Sequence, residues 1–211
     1  MKAKEKLVAP DDKEVLLFPL EYMNISQDEY GSSSHQNILA MDFLGWGANG
    51  RILQCPYYAP CSCKCVGTTE ENNRIWQSLD EVHLADGSTN YVTWVQAHDD
   101  NPLPTLTVLT QGDLLGHTGT TGNVTGDHVH FNFAKGQYEG WDSTQGNRQL
   151  KNSIHIYNAC YVNDTIIVNG ENHNWLTWNQ PTPPTPTQPF KKKQFPWVLY
   201  ANKLRNESQN N

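Results

Sequence analysis

At 211 residues the chain is long enough for one domain with accessory segments and a sizeable hydrophobic core. With 37% hydrophobic and 18% charged residues it has the composition of a soluble globular protein, and no apolar run approaches the roughly 20 residues needed to span a bilayer. The net charge of −7 is uneven: residues 190–211 carry +4 and the remaining body −11, which argues against nucleic acid as a partner, because phosphate binding needs clustered Lys and Arg.

Residues 1–20 mix charges with the apolar run Val15–Leu20 and read as an extended lead-in; Met1–Pro10 has basic residues but no continuous apolar segment, so it is not a secretion signal. Residues 21–180 form the body. Gly31–Ser34 is a turn, and Ile38–Leu44 is a buried strand in which Asp42 is anomalous. Tyr58–Val66 is a further strand. Cys61, Cys63 and Cys65 alternate along one of its faces, with neighbours about 6.6 Å apart, at the far end of disulfide range. Five cysteines make an odd set, and they read as small buried residues formed in a reducing compartment rather than a thiolate metal site.

The polar excursion from Gly67 to Gly87 is expected to hold short helical pieces. Asn90–His98 has the β-branched and aromatic content of a strand, and period-2 alternation puts His98 on the face of Trp94 and Gln96. Thr105–Thr110 is a shorter strand. The series Gly112, Gly116, Gly119, Gly122 and Gly126 then leads into Asp127–Phe133. Alternation here sends His128, His130 and Asn132 to one face and Val129, Phe131 and Phe133 to the core. Ile154–Val162 and Thr165–Val168 flank Asn163 and Asp164 as a hairpin. The body is therefore mainly β, an antiparallel sheet forming an open groove, with short helices only. Five prolines between residues 181 and 189 make a linker. Residues 190–211 are a basic and aromatic tail with Lys191–Lys193, Trp197, Tyr200 and Leu204. This tail is either a solubilising end or a docking peptide for a virion protein or an anionic surface.

A hydrolytic zinc site uses three protein ligands from His and Asp or Glu and keeps a fourth position for water. The sequence offers an acid inside an apolar strand (Asp42), a histidine shortly before it (His35) and a His-x-His on one strand face (His128, His130). One histidine of such a pair can bind metal while the other sits a few ångströms away for proton transfer. His-x-His also occurs in cupins, where a following Glu completes the site, but no acid lies between His130 and Glu139.

The run from Gly112 to Phe131, Gly-Asp-Leu-Leu-Gly-His-Thr-Gly-Thr-Thr-Gly-Asn-Val-Thr-Gly-Asp-His-Val-His-Phe, resembles the signature of the lysostaphin-like (M23) zinc endopeptidases. Ser34-His35 ahead of Ala40-Met-Asp42-Phe43 is similar to that family's His…Asp-Phe. Tyr58-Ala-Pro60 and the strand Tyr91–His98 also fall in the family's order, so the resemblance spans residues 22–135. It implies one zinc per chain held by His35, Asp42 and His130, with His98 and His128 as proton carriers and oxyanion donors. The chain departs from the pattern at three places: six residues separate His35 from Asp42, Lys64 stands where the family usually has Gly, and Asn132 stands where the family has an acid.

The activity implied is hydrolysis of peptide bonds in bacterial peptidoglycan, in stem peptide or cross-bridge. A wall substrate without a secretion signal suggests a bacteriophage protein made in the host cytoplasm, either a holin-released endolysin or a virion-associated tail lysin. In the latter case other tail proteins would be partners through residues 190–211. The rival is a non-catalytic structural or wall-binding protein keeping the same fold. Tyr22 or Tyr30 could reach the metal but read better as ordinary strand residues. Trp46, Trp76, Trp94 and Trp141 suit either a groove wall or the core. His83, His117, His155 and His173 read as surface or hydrogen-bonded structural residues.

Overall fold

The computed structural model describes residues 1–32, 34–69, 71–146 and 148–179. The linker at 181–189 and the tail at 190–211 lie outside the described residues. The described chain is mainly β, built on one nine-stranded sheet: β1 (Tyr22–Gln27), β2 (Ala40–Phe43), β3 (Cys63–Thr68), β4 (Arg74–Ser78), β5 (Val92–Ala97), β6 (Val108–Leu109), β7 (Val129–Lys135), β8 (Ser153–Ile154) and β9 (Ile166–Asn169). The strands run in the order β6-β3-β4-β5-β7-β2-β1-β9, with β8 also paired to β7. All pairs are antiparallel except β1 with β9.

The alternation of β7 divides the sheet into two faces. Val129, Phe131 and Phe133 are fully buried on one of them. Their register partners Phe43, Met41, Gln96 and Trp94 share that face, and Trp76 lies opposite Trp94. Trp94 stacks on Phe133 with ring centroids 5.8 Å apart, and Tyr57 meets Phe131 edge-on at 5.5 Å. Each such pair adds about 0.5–1.5 kcal/mol to the burial itself. Residues 1–20 pack into this body, with Leu16, Leu17 and Phe18 fully buried.

Two expectations are corrected. The described residues of Gly67–Gly87 hold no helix. They include β4, all five residues of which are buried, because Trp76 fills the core while Ile75 turns to the other face against Val95. A single apolar pair among polar neighbours carries too little periodicity to be read as a strand. The expected hairpin across Asn163–Asp164 is absent. Ile156–Ala159 forms one helical turn, and β9 crosses the domain to pair in parallel with β1. The helices of the described residues are that turn and a short 3-10 piece at Ser143–Gln145.

The cysteines follow the sequence reading: all five are free and buried. Burial pushes the Cys61, Cys63 and Cys160 thiols well above the usual thiol range, so they stay protonated.

Candidate metal centre

On the second face, β7 sets His130 directly opposite Asp42 of β2, so register alone makes these two side chains neighbours. His35 arrives from the loop between β1 and β2. The residues that lengthen the His35–Asp42 interval are taken up in a turn closed by the Ile38 N–H donating to the His35 carbonyl, with Asn37 left-handed at φ 61°. The ring of His35 is fully buried, while Asp42 and His130 keep a narrow exposure on the cleft side.

His35 Nε2, His130 Nδ1 and Asp42 Oδ1 make a near-equilateral triangle with edges of 3.2, 3.0 and 3.2 Å. Ligands at zinc distances of about 2.0–2.1 Å in tetrahedral geometry stand about 3.3 Å apart, so the triangle has the size of one face of that tetrahedron. Hydrogen bonding alone satisfies it poorly. His35 Nδ1 donates to the Asp28 carbonyl at 3.1 Å, so a neutral ring presents the lone pair of Nε2 to a carboxylate oxygen that can only accept. A cation between the three atoms removes that conflict. Burial by itself raises the Asp42 pKa, but the neighbouring His130 and His35 imidazoles outweigh it and hold the carboxyl well below the usual carboxylate range. Among the described residues this is the one group of His, Cys, Asp and Glu side chains that converges in this way.

Two more histidines border the triangle. His128 precedes β7, and its Nε2 lies 3.7 Å from Asp42 Oδ2. His98 follows β5, and its ring centroid is 4.6 Å from that of His128 and 6.0 Å from that of His130. The sequence expectation put His98 on the face of Trp94 and Gln96, which is the buried core face. His98 leaves that face because its backbone is left-handed, φ 77°, which breaks the alternation at the strand end and turns the ring to the cleft. Both imidazoles are fixed from behind: His98 Nδ1 donates to the Thr121 carbonyl and His128 Nδ1 to the Gly126 carbonyl, each at 2.8 Å. A neutral ring so tied points the lone pair of Nε2 forward. Burial, helped by the charges of His128 and His130, lowers the His98 pKa to about 4, which keeps it unprotonated near neutrality.

Asp42, His98, His128 and His130 line the floor of an open cleft of about 1260 Å³, with His35 buried beneath it. Its walls include Trp141, Asn73, Asn123, Thr125, Arg148 and Glu71. Of the four tryptophans considered, Trp141 borders the cleft, while Trp76 and Trp94 are core residues. Neither Tyr22 nor Tyr30 lines it; Tyr30 is exposed and meets His155 edge-on at 6.4 Å. His83, His155 and His173 are paired with Asp11, Glu29 and Asp28. Asn132 is buried and donates to the Leu39 carbonyl at 2.7 Å while accepting from the Leu150 N–H at 2.8 Å, so it ties loops together behind the site. Sequence reasoning missed Arg148 and Glu71, which lie in polar loops without periodicity or motif.

No protein-family model matches the chain. Morphogenesis protein 1 of Bacillus phage B103 is 41% identical over 163 residues, which cover 76% of this chain and 43% of that protein. The chain therefore spans less than half the length of this phage relative. Among solved structures, the chain is similar to a zinc-containing peptidase from Vibrio cholerae, at 14% identity and a TM-score of 0.42, over 62% of this chain and 43% of that one. It is also similar to the catalytic domain of the antimicrobial peptidase lysostaphin from Staphylococcus simulans, at 14% identity and a TM-score of 0.39, over 65% of this chain and 85% of that one. No helix among the described residues is long and apolar enough to cross a membrane.

Proposed function

We propose that this chain is a zinc-dependent endopeptidase that hydrolyses peptide bonds of bacterial peptidoglycan and serves a bacteriophage as a lysin, in the virion or on release from the host. The observation that carries this reading is the His35–Asp42–His130 triangle of tetrahedral size at the floor of an open cleft, with two further imidazoles beside it. The resemblance of the Gly112–Phe131 run to the lysostaphin-like signature supports the peptidase class, and the phage relative supports the phage setting.

When bound by His35, Asp42 and His130, zinc supplies Lewis acidity, polarising a carbonyl and lowering the pKa of water toward neutrality. The chain's own residues then handle protons. His98, neutral at pH 7, accepts through Nε2 the proton of the water that attacks the scissile carbonyl carbon. The C–N bond breaks as that proton passes to the leaving nitrogen. His128 donates from its Nε2, when protonated, to the carbonyl oxygen as it gains negative charge. The Thr121 and Gly126 carbonyls hold both rings in the orientation this requires.

A second reading, a structural virion component with no activity, is favoured by the word morphogenesis in the phage relative's name. Digestion of purified cell walls separates the two. The wild-type protein is expected to release peptide fragments identifiable by mass spectrometry, whereas chelated protein and His128→Ala release them about 10²–10⁴ times more slowly. Intact walls after digestion with zinc-loaded wild type would leave the structural reading standing.

A further inference from the structure

Among the described residues the cleft carries three formal charges besides its histidines: Asp42, Glu71 and Arg148. Asp42 is engaged by His35 and His130, which leaves Glu71 and Arg148 facing the space a substrate would fill.

Arg148 stands on the side of His35. Its described partners are neutral carbonyl oxygens: Nη2 donates to Gln36 at 2.8 Å, Nη1 to Ser34 at 3.4 Å and Nε to Gln145 at 3.2 Å. A guanidinium has five N–H donors, so one on each terminal nitrogen is left over among the described residues, the number a carboxylate takes when gripped by two bonds. Carbonyls orient the group without neutralising it. Glu71 stands on the side of His98. Its Oε2 and His98 Nδ1 are each 3.6 Å from the point where a side chain on Gly122 would begin, so the carboxylate and the imidazole flank the same glycine.

The two charges lie on opposite sides of the metal triangle. Glu71 is in the turn from β3 to β4, Arg148 grips the loop between β1 and β2, and strands β5 and β7 lie between. From β4 to β2 or β1 is three or four strand spacings, about 14–19 Å at roughly 4.8 Å each, the length of about four to six extended residues.

We propose that Arg148 and Glu71 select an amphoteric peptide: Arg148 takes a substrate carboxylate and Glu71 a substrate ammonium, on opposite sides of the scissile bond and about four to six residues apart. This inference deepens the peptidase reading and rests on it. Peptides that meet the description carry a free acid toward one end and an unacylated diamino residue or amino terminus toward the other.

The test uses one wall-derived peptide in three forms: unmodified, amidated at its carboxylates and acetylated at its amines. With the zinc-loaded wild type, KM should rise about three- to tenfold for each neutralised form, as expected of charge-assisted contacts that water still reaches. Both ratios should shrink in 0.5 M salt. Arg148→Gln should erase the carboxylate ratio and keep the amine ratio, Arg148→Lys should retain most of the former, and Glu71→Gln should erase only the amine ratio. Equal KM values for the three forms in the wild type, or a carboxylate ratio that survives in Arg148→Gln, would overturn the proposal while leaving the peptidase reading intact. If the wild type cleaved none of the peptides, the peptidase reading would fall. Calorimetric dissociation constants of the same three peptides for His128→Ala would then decide the charge selection by the same ratios.

Discussion

Gly119 is the point at which His98 and His128, the proposed proton carriers, are brought together. Its N–H donates to the His128 carbonyl at 3.0 Å, and its carbonyl accepts from the His128 N–H at 3.1 Å. A Cβ at this position would lie 2.8 Å from the Asp100 backbone nitrogen and closer still to the His98 carbonyl oxygen, where ordinary contact begins at 3.4 Å. Both neighbours are backbone, so Gly119→Ala must push the His98 segment away by at least roughly 0.6 Å in a densely packed setting. Overpacking of this kind costs about 1–3 kcal/mol of stability. The same displacement widens the gap between His98 and His128, and misplacement of a reacting group by about 1 Å can cost 10²-fold in rate. Gly126, in the same glycine series, is the matched control: nothing lies within 4 Å of its added Cβ and its φ is not left-handed. We expect Gly119→Ala to lower the urea midpoint and slow peptide hydrolysis by about ten- to a hundredfold with zinc content retained, and Gly126→Ala to change stability by less than about 1 kcal/mol. A Gly119→Ala protein that unfolded and hydrolysed like the wild type would refute the argument that this contact sets the spacing of the two histidines.

Other outcomes test the site directly. His130→Ala removes one of three protein ligands, so metal analysis after dialysis should find it without tightly held zinc; full occupancy would sink the ligand assignment. The lowered pKa of His98 has a consequence for stability. The unfolded chain, with an ordinary value near 6.5, binds a proton that the folded chain refuses until about pH 4, so folding stability should fall as pH drops through that window. The slope is bounded by about 1.4 kcal/mol per pH unit for one proton, and is smaller here because water reaches part of the ring. In chelated protein, His98→Gln should flatten this part of the stability profile. An identical slope in wild type and variant would show that His98 does not carry the linkage.

Legibility from sequence varied with the strength of the local signal. Residues 129–133 alternate without a break between polar and bulky apolar side chains, and the expected division of faces is the one observed. Asp42 stood out because an acid in an otherwise apolar strand needs a partner, and β7 supplies it across the register. The strand at Arg74–Ser78 was not legible, since its burial comes from β3 and β5 on either side rather than from its own pattern. The parallel pairing of β9 with β1 joins segments more than a hundred residues apart, a contact that no local turn announces.

By itself the sequence determined the mainly β class, the core face of the strand bearing His-x-His, the burial of the free cysteines and a short roster of side chains suited to a metal. These follow from period, composition and residue chemistry, which are local properties. Only the tertiary structure decided which atoms meet. His98 escapes the core face through one left-handed residue, which a two-residue period cannot foresee. His35 reaches Asp42 through a loop whose path depends on the carbonyls of Asp28 and His35. Trp76 and Trp94 go to the core rather than the groove because the sheet stacks them against each other's strands. Arg148 becomes a cleft residue because its guanidinium finds the carbonyls of Ser34 and Gln36, 114 and 112 residues away in the chain. Convergence of this kind is set by long-range packing and backbone geometry, and neither is written in any single stretch of the chain.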